Sequence, residues 1–287
     1  MRNMLKADIR RLLRARSLYV GMLVIALVVA IATAGFHFLT TQSVEGLTRF
    51  ARNHAREDSG NMQAGLAMAA LISPESARQA MLELRRQTGV QTLSQVPIQQ
   101  VGVAHLMLVI VVTLFAAKDY HTGYLKNLLT LKGIKTKWLL SKVMMALVVS
   151  ILLSLAALVS AMVGAMTLGN PPTFDVGLMA GFFGVHIAVD LALAASVLLV
   201  LTLSQNKTAA LMFGMLEAFN LQRAIYLLLD ATGWISSFQL SDYAMMNLAA
   251  AYAPGDPPGQ VLWTAAILFA VYLTGAWLAI TRRDLKL

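Results

Sequence analysis

The chain has 287 residues, 58% of them hydrophobic and 13% charged, with a formal net charge of +9. Soluble domains carry roughly 25% charged residues, so this composition excludes an ordinary soluble fold and reads as an all-α polytopic membrane protein. Cysteine is absent, which excludes a disulfide framework, a thiolate nucleophile and a cysteine metal site.

Residues 1–16 are basic and amphipathic: Leu5, Ile9 and Leu12 follow the i, i+4, i+7 stripe of a helix, while Lys6, Arg10 and neighbouring arginines fill the other faces. The pattern predicts an elbow helix lying in the membrane interface. As a bare charge cluster the segment would serve topology alone. Crossing ~30 Å of hydrocarbon takes ~20 helical residues, and six runs meet that length: 18–39, 99–117, 139–168, 177–203, 208–229 and 261–280. Ala32, Thr33 and Ala34 form a signal-peptidase-like A-x-A pattern inside the first run, which is read here as a retained span.

Between the first two runs, 40–97 is polar and expected to be a helical extracytoplasmic insertion. Its clearest element starts with Ser73 as N-cap and Pro74 at the first helical position, and is expected to stop at a left-handed Gly89. The connector 118–138 is lysine-rich. There Thr122 can cap a short helix in which Leu125, Leu128 and Leu129 form an apolar stripe beside Tyr124 and Lys126, with Gly133 as its stop. Thr136 is expected to cap the third span, with Trp138 at the interface and Lys142 snorkelling towards it. The stretch 230–260 is acidic and ends in "APGDPPGQ", whose Pro and Gly residues punctuate the turn into the last span. Trp234, Phe238 and Tyr243 predict short helices at the outer interface.

Lysines and arginines concentrate at the N-terminus, in 118–138, at Lys207 and after the last span, while 169–176 and 230–260 have none. The positive-inside rule therefore predicts both termini in the cytoplasm. The net charge is explained by topology and membrane lipids, with no need of nucleic acid.

The search for catalytic residues is negative. No phosphate-binding G-x-x-x-x-G-K-[ST], H-E-x-x-H, G-x-S-x-G or G-x-G-x-x-G occurs, and the five histidines lack metal-ligand spacing. The chain is expected to be no enzyme, with no cofactor of its own. Ionisable groups inside the spans are few. His186 and Asp190 share a face of the fourth run, and Glu217, Asn220 and Arg223 step along the fifth. A charge at mid-bilayer costs ~2.5–3.5 kcal/mol on insertion scales, so Arg223 is expected to neutralise Asp190, Glu217 or both. Two roles stay open for these groups: a buried pair that holds the bundle, or part of a substrate or proton path.

Three features together resemble the membrane subunits of ABC-2 type exporters: the basic start "MLKADIRRLLRARS", the connector "AAKDYHTGYLKNLL" leading into "WLLSKVMMALV", and the end "ITRRDLKL". The resemblance spans all six expected helices and makes 1–287 a single transmembrane domain. It implies that the stretch holding Thr122, Tyr124, Leu125, Lys126, Leu128 and Leu129 is a coupling helix docking on a separate ATP-binding subunit. ATP and magnesium would be bound there. It also implies a second permease copy or paralogue and a path lined near Leu108, Thr113, Glu217 and Asn220. An antimicrobial peptide or another amphipathic compound is the expected substrate, because smaller bacterial members often serve antimicrobial-peptide immunity. Two other readings remain, a proton-coupled secondary transporter using His186, Asp190 and Glu217, and a non-transporting assembly or sensing subunit.

Overall fold

The computed structural model describes residues 2–41, 88–121, 134–232 and 239–282. Most of the 40–97 insertion, the coupling residues Thr122, Tyr124, Leu125, Lys126, Leu128 and Leu129, and Trp234 and Phe238 lie outside the described residues. Every regular element among the described residues is helical.

The basic segment forms α1 (Arg2–Leu13), and a tight turn at Arg14 and Ala15 leads into α2 (Arg16–Thr41). After the insertion come the short α3 (Val90–Gln95), a π-helical turn at Val96–Gln100, and α4 (Val103–His121). Then follow α5 (Ile134–Thr167) and α6 (Val176–Ser204), the latter capped by the Asp175 carboxylate, which accepts from the Leu178 N–H. The chain continues through α7 (Lys207–Ala218), α8 (Leu221–Ala231), a 3-10 turn at Leu240–Tyr243, α9 (Met245–Ala251) and α10 (Gly259–Arg282).

Five of these, α2, α4, α5, α6 and α10, are long and apolar enough to cross a membrane. The protein is a polytopic helical membrane protein. The fifth expected span, 208–229, is two short helices rather than one. Asn220 takes the left-handed conformation at φ 68° and ψ 32°, which an α-helix cannot continue through and which Asn tolerates better than most residues. What remains, the twelve residues of α7, rises only about 18 Å, well short of a bilayer.

Three details at element ends also differ from the sequence expectation. Gly89 is extended (φ −96°, ψ −171°) and starts α3, so it is no left-handed stop. Thr136 lies inside α5, whose first residue is Ile134, and accepts a hydrogen bond from Trp277 Nε1 at 3.1 Å. The second span begins later than expected, at Val103, because the π turn and a left-handed Gly102 (φ 66°) precede it.

Helix α6 is the axis of the bundle and packs against α4, α5, α7, α9 and α10. It is apolar on every side, the pattern of a fully buried helix, and residues 192–198 are all buried. Its neighbours approach closely where they carry glycine. A Cβ on Gly214 of α7 would lie 2.5 Å from a Val197 methyl and 2.7 Å from one of Val109. Peripheral α2 and α10 present Leu23, Leu27, Ile31, Trp263, Ile267 and Val271 outward, as expected of lipid-facing helices. At the bundle end away from the basic residues, Gln99 Nε2 donates to the carbonyls of Ala250 and Tyr252, both at 2.6 Å. That bond ties the start of α4 to the end of α9.

Candidate functional site

The sequence places charged residues in helices that are otherwise apolar, and the fold gathers them into separate clusters. One lies at the basic end. Lys142, near the start of α5, is fully buried, with Nζ 3.0 Å from Asp8 Oδ2 of α1 and 2.7 Å from Asp119 Oδ2 of α4. Ser141 Oγ donates to Asp8 at 2.6 Å and Trp138 Nε1 donates to Asp119 at 2.9 Å. Arg11 Nη1 approaches Asp119 Oδ1 at 3.8 Å, and the Lys142 ammonium stands 4.6 Å from the centre of the Phe115 ring. Lys142 therefore does not snorkel, and Trp138 is buried rather than interfacial. Two carboxylates recruit both side chains inward, and a buried ammonium is stable only when so paired.

The predicted elbow residues assemble around this cluster. Leu12 is fully buried and Leu5 and Ile9 are half-buried, while Arg10 is exposed. Asp8 lies within that stripe, so the apolar face of α1 packs on α5 around an ion pair.

The second cluster sits deeper. Asp190 Oδ1 is 2.6 Å from His105 Nδ1 of α4, and Asp190 Oδ2 accepts a hydrogen bond from Ser150 of α5 at 2.5 Å. His186, one turn before Asp190, packs its ring 5.5 Å from that of His105 and 4.5 Å from that of Phe182. Among the described residues neither ring nitrogen of His186 has a hydrogen-bond partner. Glu217, buried near the end of α7, accepts from the Ser196 hydroxyl and, at 3.2 Å, from the Tyr272 hydroxyl.

Arg223 does not neutralise either carboxylate. It is exposed on α8, and neither Asp190 nor Glu217 pairs with an arginine or lysine among the described residues. The break at Asn220 puts Glu217 and Arg223 on two different helices. Leu108 and Thr113 are both buried within the single chain.

A cavity of about 210 Å³ opens beside the second cluster, with His105, His186, Gln99, Ala218, Phe219 and Asn220 in its wall. Asn220 Oδ1 is buried there without a partner among the described residues. A larger groove of about 610 Å³ between α2 and α5 is apolar and lined chiefly by small residues such as Ala26, Ala30 and Gly164. Among the described residues no three His, Asp or Glu side chains are placed to hold a metal ion.

Sequence reasoning named His186, Asp190, Glu217 and Asn220, but it missed the partners: Asp8, Asp119, Ser150, Ser196 and Tyr272, and the role of His105. One signal was present, since Asp8 and Asp119 are acids set within strongly basic segments.

Compared with known proteins, the chain matches no family model and no curated sequence. Its geometry therefore carries the functional reading.

Proposed function

We propose that the chain is the membrane subunit of an ABC-2 type exporter in a bacterial cytoplasmic membrane, with both termini inside. Two copies, or one copy and a paralogue, would form the path. A separate subunit would bind ATP and magnesium, and the substrate would be an antimicrobial peptide or another amphipathic compound. The observation that carries this reading is the Asp8–Lys142–Asp119 cluster. Asp119 and Lys142 flank the connector that holds the leucine stripe, and Asp8 brings in α1. Breaking a buried ion pair typically costs about 3–5 kcal/mol, so α1, the end of α4 and the start of α5 move as one block. A push on the connector is then delivered to two spans and the interfacial helix together. Alternating access needs this kind of rigid-body coupling between a nucleotide-driven partner and the membrane helices.

The expected result is that Leu125→Asp with Leu128→Asp abolishes co-purification with an ATP-binding subunit from native membranes while membrane insertion is kept. Unchanged co-purification would sink the docking assignment.

A proton-coupled secondary transporter is favoured by one observation, that Asp190 and Glu217 are buried without a lysine or arginine partner. That reading requires transport in liposomes of the chain alone, driven by a pH gradient and abolished by Glu217→Gln.

A further inference from the structure

We infer that the cavity at the α7–α8 break is a binding site for a small protonated amine. Non-helical backbone at membrane depth is tolerated where it is buried in protein or lines a polar cavity. Here three departures from α-helix meet at one wall: the π turn ending at Gln100, the left-handed Gly102 and the left-handed Asn220. A left-handed non-glycine residue is uncommon and clusters at ligand sites.

The wall carries unpartnered polar atoms. Among the described residues Asn220 Oδ1 is buried with no protein partner, and His186, 1% exposed, has both ring nitrogens unpartnered. His105, whose Nδ1 stands 2.6 Å from the Asp190 carboxylate, completes the polar part of the wall. Unmade hydrogen bonds at buried groups are costly, so a ligand with N–H donors for Asn220 Oδ1 and for the acceptor nitrogen of His186 is the chemical complement.

The electrostatics select a cation. Among the described residues no lysine or arginine pairs with the carboxylate behind His105, since the ion pairs of Lys142 and Arg11 belong to the other cluster. Ala218 and Phe219 bring the C-terminal end of α7 to the same wall, where Asn220 also starts α8. Broken helices in membrane proteins coordinate cations in this way. A water claims about 30 Å³ of liquid, so about 210 Å³ admits an ammonium head with a short alkyl chain.

The test uses the full chain in detergent micelles without nucleotide or a second subunit, so its outcome is independent of the exporter reading. Thermal unfolding is followed while ethylammonium chloride or tetramethylammonium chloride is titrated; the two share a charge but only the first has N–H groups. Ethylammonium is expected to stabilise saturably, and tetramethylammonium about tenfold more weakly, the loss expected for one hydrogen bond to a charged group. Asn220→Gly keeps the left-handed backbone without the amide, and His186→Phe keeps a ring against Phe182. Each is expected to weaken ethylammonium binding about tenfold. Equal stabilisation by both salts, none by either, stabilisation by Zn²⁺ alone, or unchanged affinity in both variants would overturn the assignment. Should a variant fail to fold, the contrast between the two salts on the unmodified chain still decides.

Discussion

Two buried polar clusters share helix α5, one turning on Lys142 and the other reaching it through Ser150, and they settle their charges by opposite means. Around Lys142 two aspartates meet a lysine and an arginine, so fixed side chains supply both signs. Around Asp190 and Glu217 the carboxylates meet hydroxyls and an imidazole, so the donors are neutral or switchable. A charge-matched cluster behaves as a joint that is either whole or broken. The other keeps its electrostatics open to completion from outside the chain, and only that kind can respond to a ligand or proton without unfolding.

The hardest blow to the comparison is Lys142→Met, which leaves the buried Asp8 carboxylate without a cation and Asp119 with only the more distant Arg11 at 3.8 Å. Denaturation of the purified protein should show a loss of about 3–5 kcal/mol, largely recovered when Asp8→Leu and Asp119→Leu are added, because an apolar replacement of a buried triad is commonly neutral. A single variant as stable as the parent would show that Lys142 is no joint. Next in size is Gly214→Ala. Its methyl would meet Val197 and Val109 well inside contact distance, and overpacking costs about 1–3 kcal/mol. It should also loosen the hydrogen bond from Ser196 to Glu217, seen as faster exchange around that position.

Glu217→Gln sharpens the contrast from the other side. The amide oxygen still accepts from Ser196 or Tyr272 and no cationic partner is orphaned, so stability should change by less than about 1 kcal/mol. A loss as large as that of Lys142→Met would mean that Glu217 has a counter-charge after all.

The smallest effect is at Asp230, outside both clusters, whose carboxylate accepts from the N–H groups of Leu240 and Ser241 at 2.8 and 2.9 Å. The Ser241 backbone bond, helped by that of Leu240, holds its pKa below the ordinary carboxylate range. A lowered carboxylate pKa stabilises fully above the unfolded value and is lost as pH falls through the folded one. Hydrogen-exchange protection of the Leu240 and Ser241 amides should therefore drop in acid. In Asp230→Asn it should already be reduced at neutral pH.

The spans were legible because ~20 apolar residues in a row have few other uses. Length counting failed at 208–229, where a single backbone angle at Asn220 decides between one helix and two. The clusters were half legible. Burial cost marks Asp190 and Glu217 as special wherever they occur in an apolar run. Their partners cannot be read from spacing, since His105 and Asp190 are 85 positions apart and Lys142 and Asp8 are 134 apart. The Lys142 error has a specific cause: a lysine near a span end is ordinarily drawn to the interface, and only the fold discloses two carboxylates that outcompete water.

The bond from Gln99 to the carbonyl of Ala250 spans 151 positions. At 5–20 residues per second, roughly 8–30 s separate the synthesis of its two ends. Through that interval the π turn that leads into α4 waits in the nascent chain unfastened, and the final seat of α4 depends on the last third of the protein. Quality control in the membrane thus has a defined window. A chain truncated before α9 should be recognised as unfinished and degraded, although most of its spans are already made.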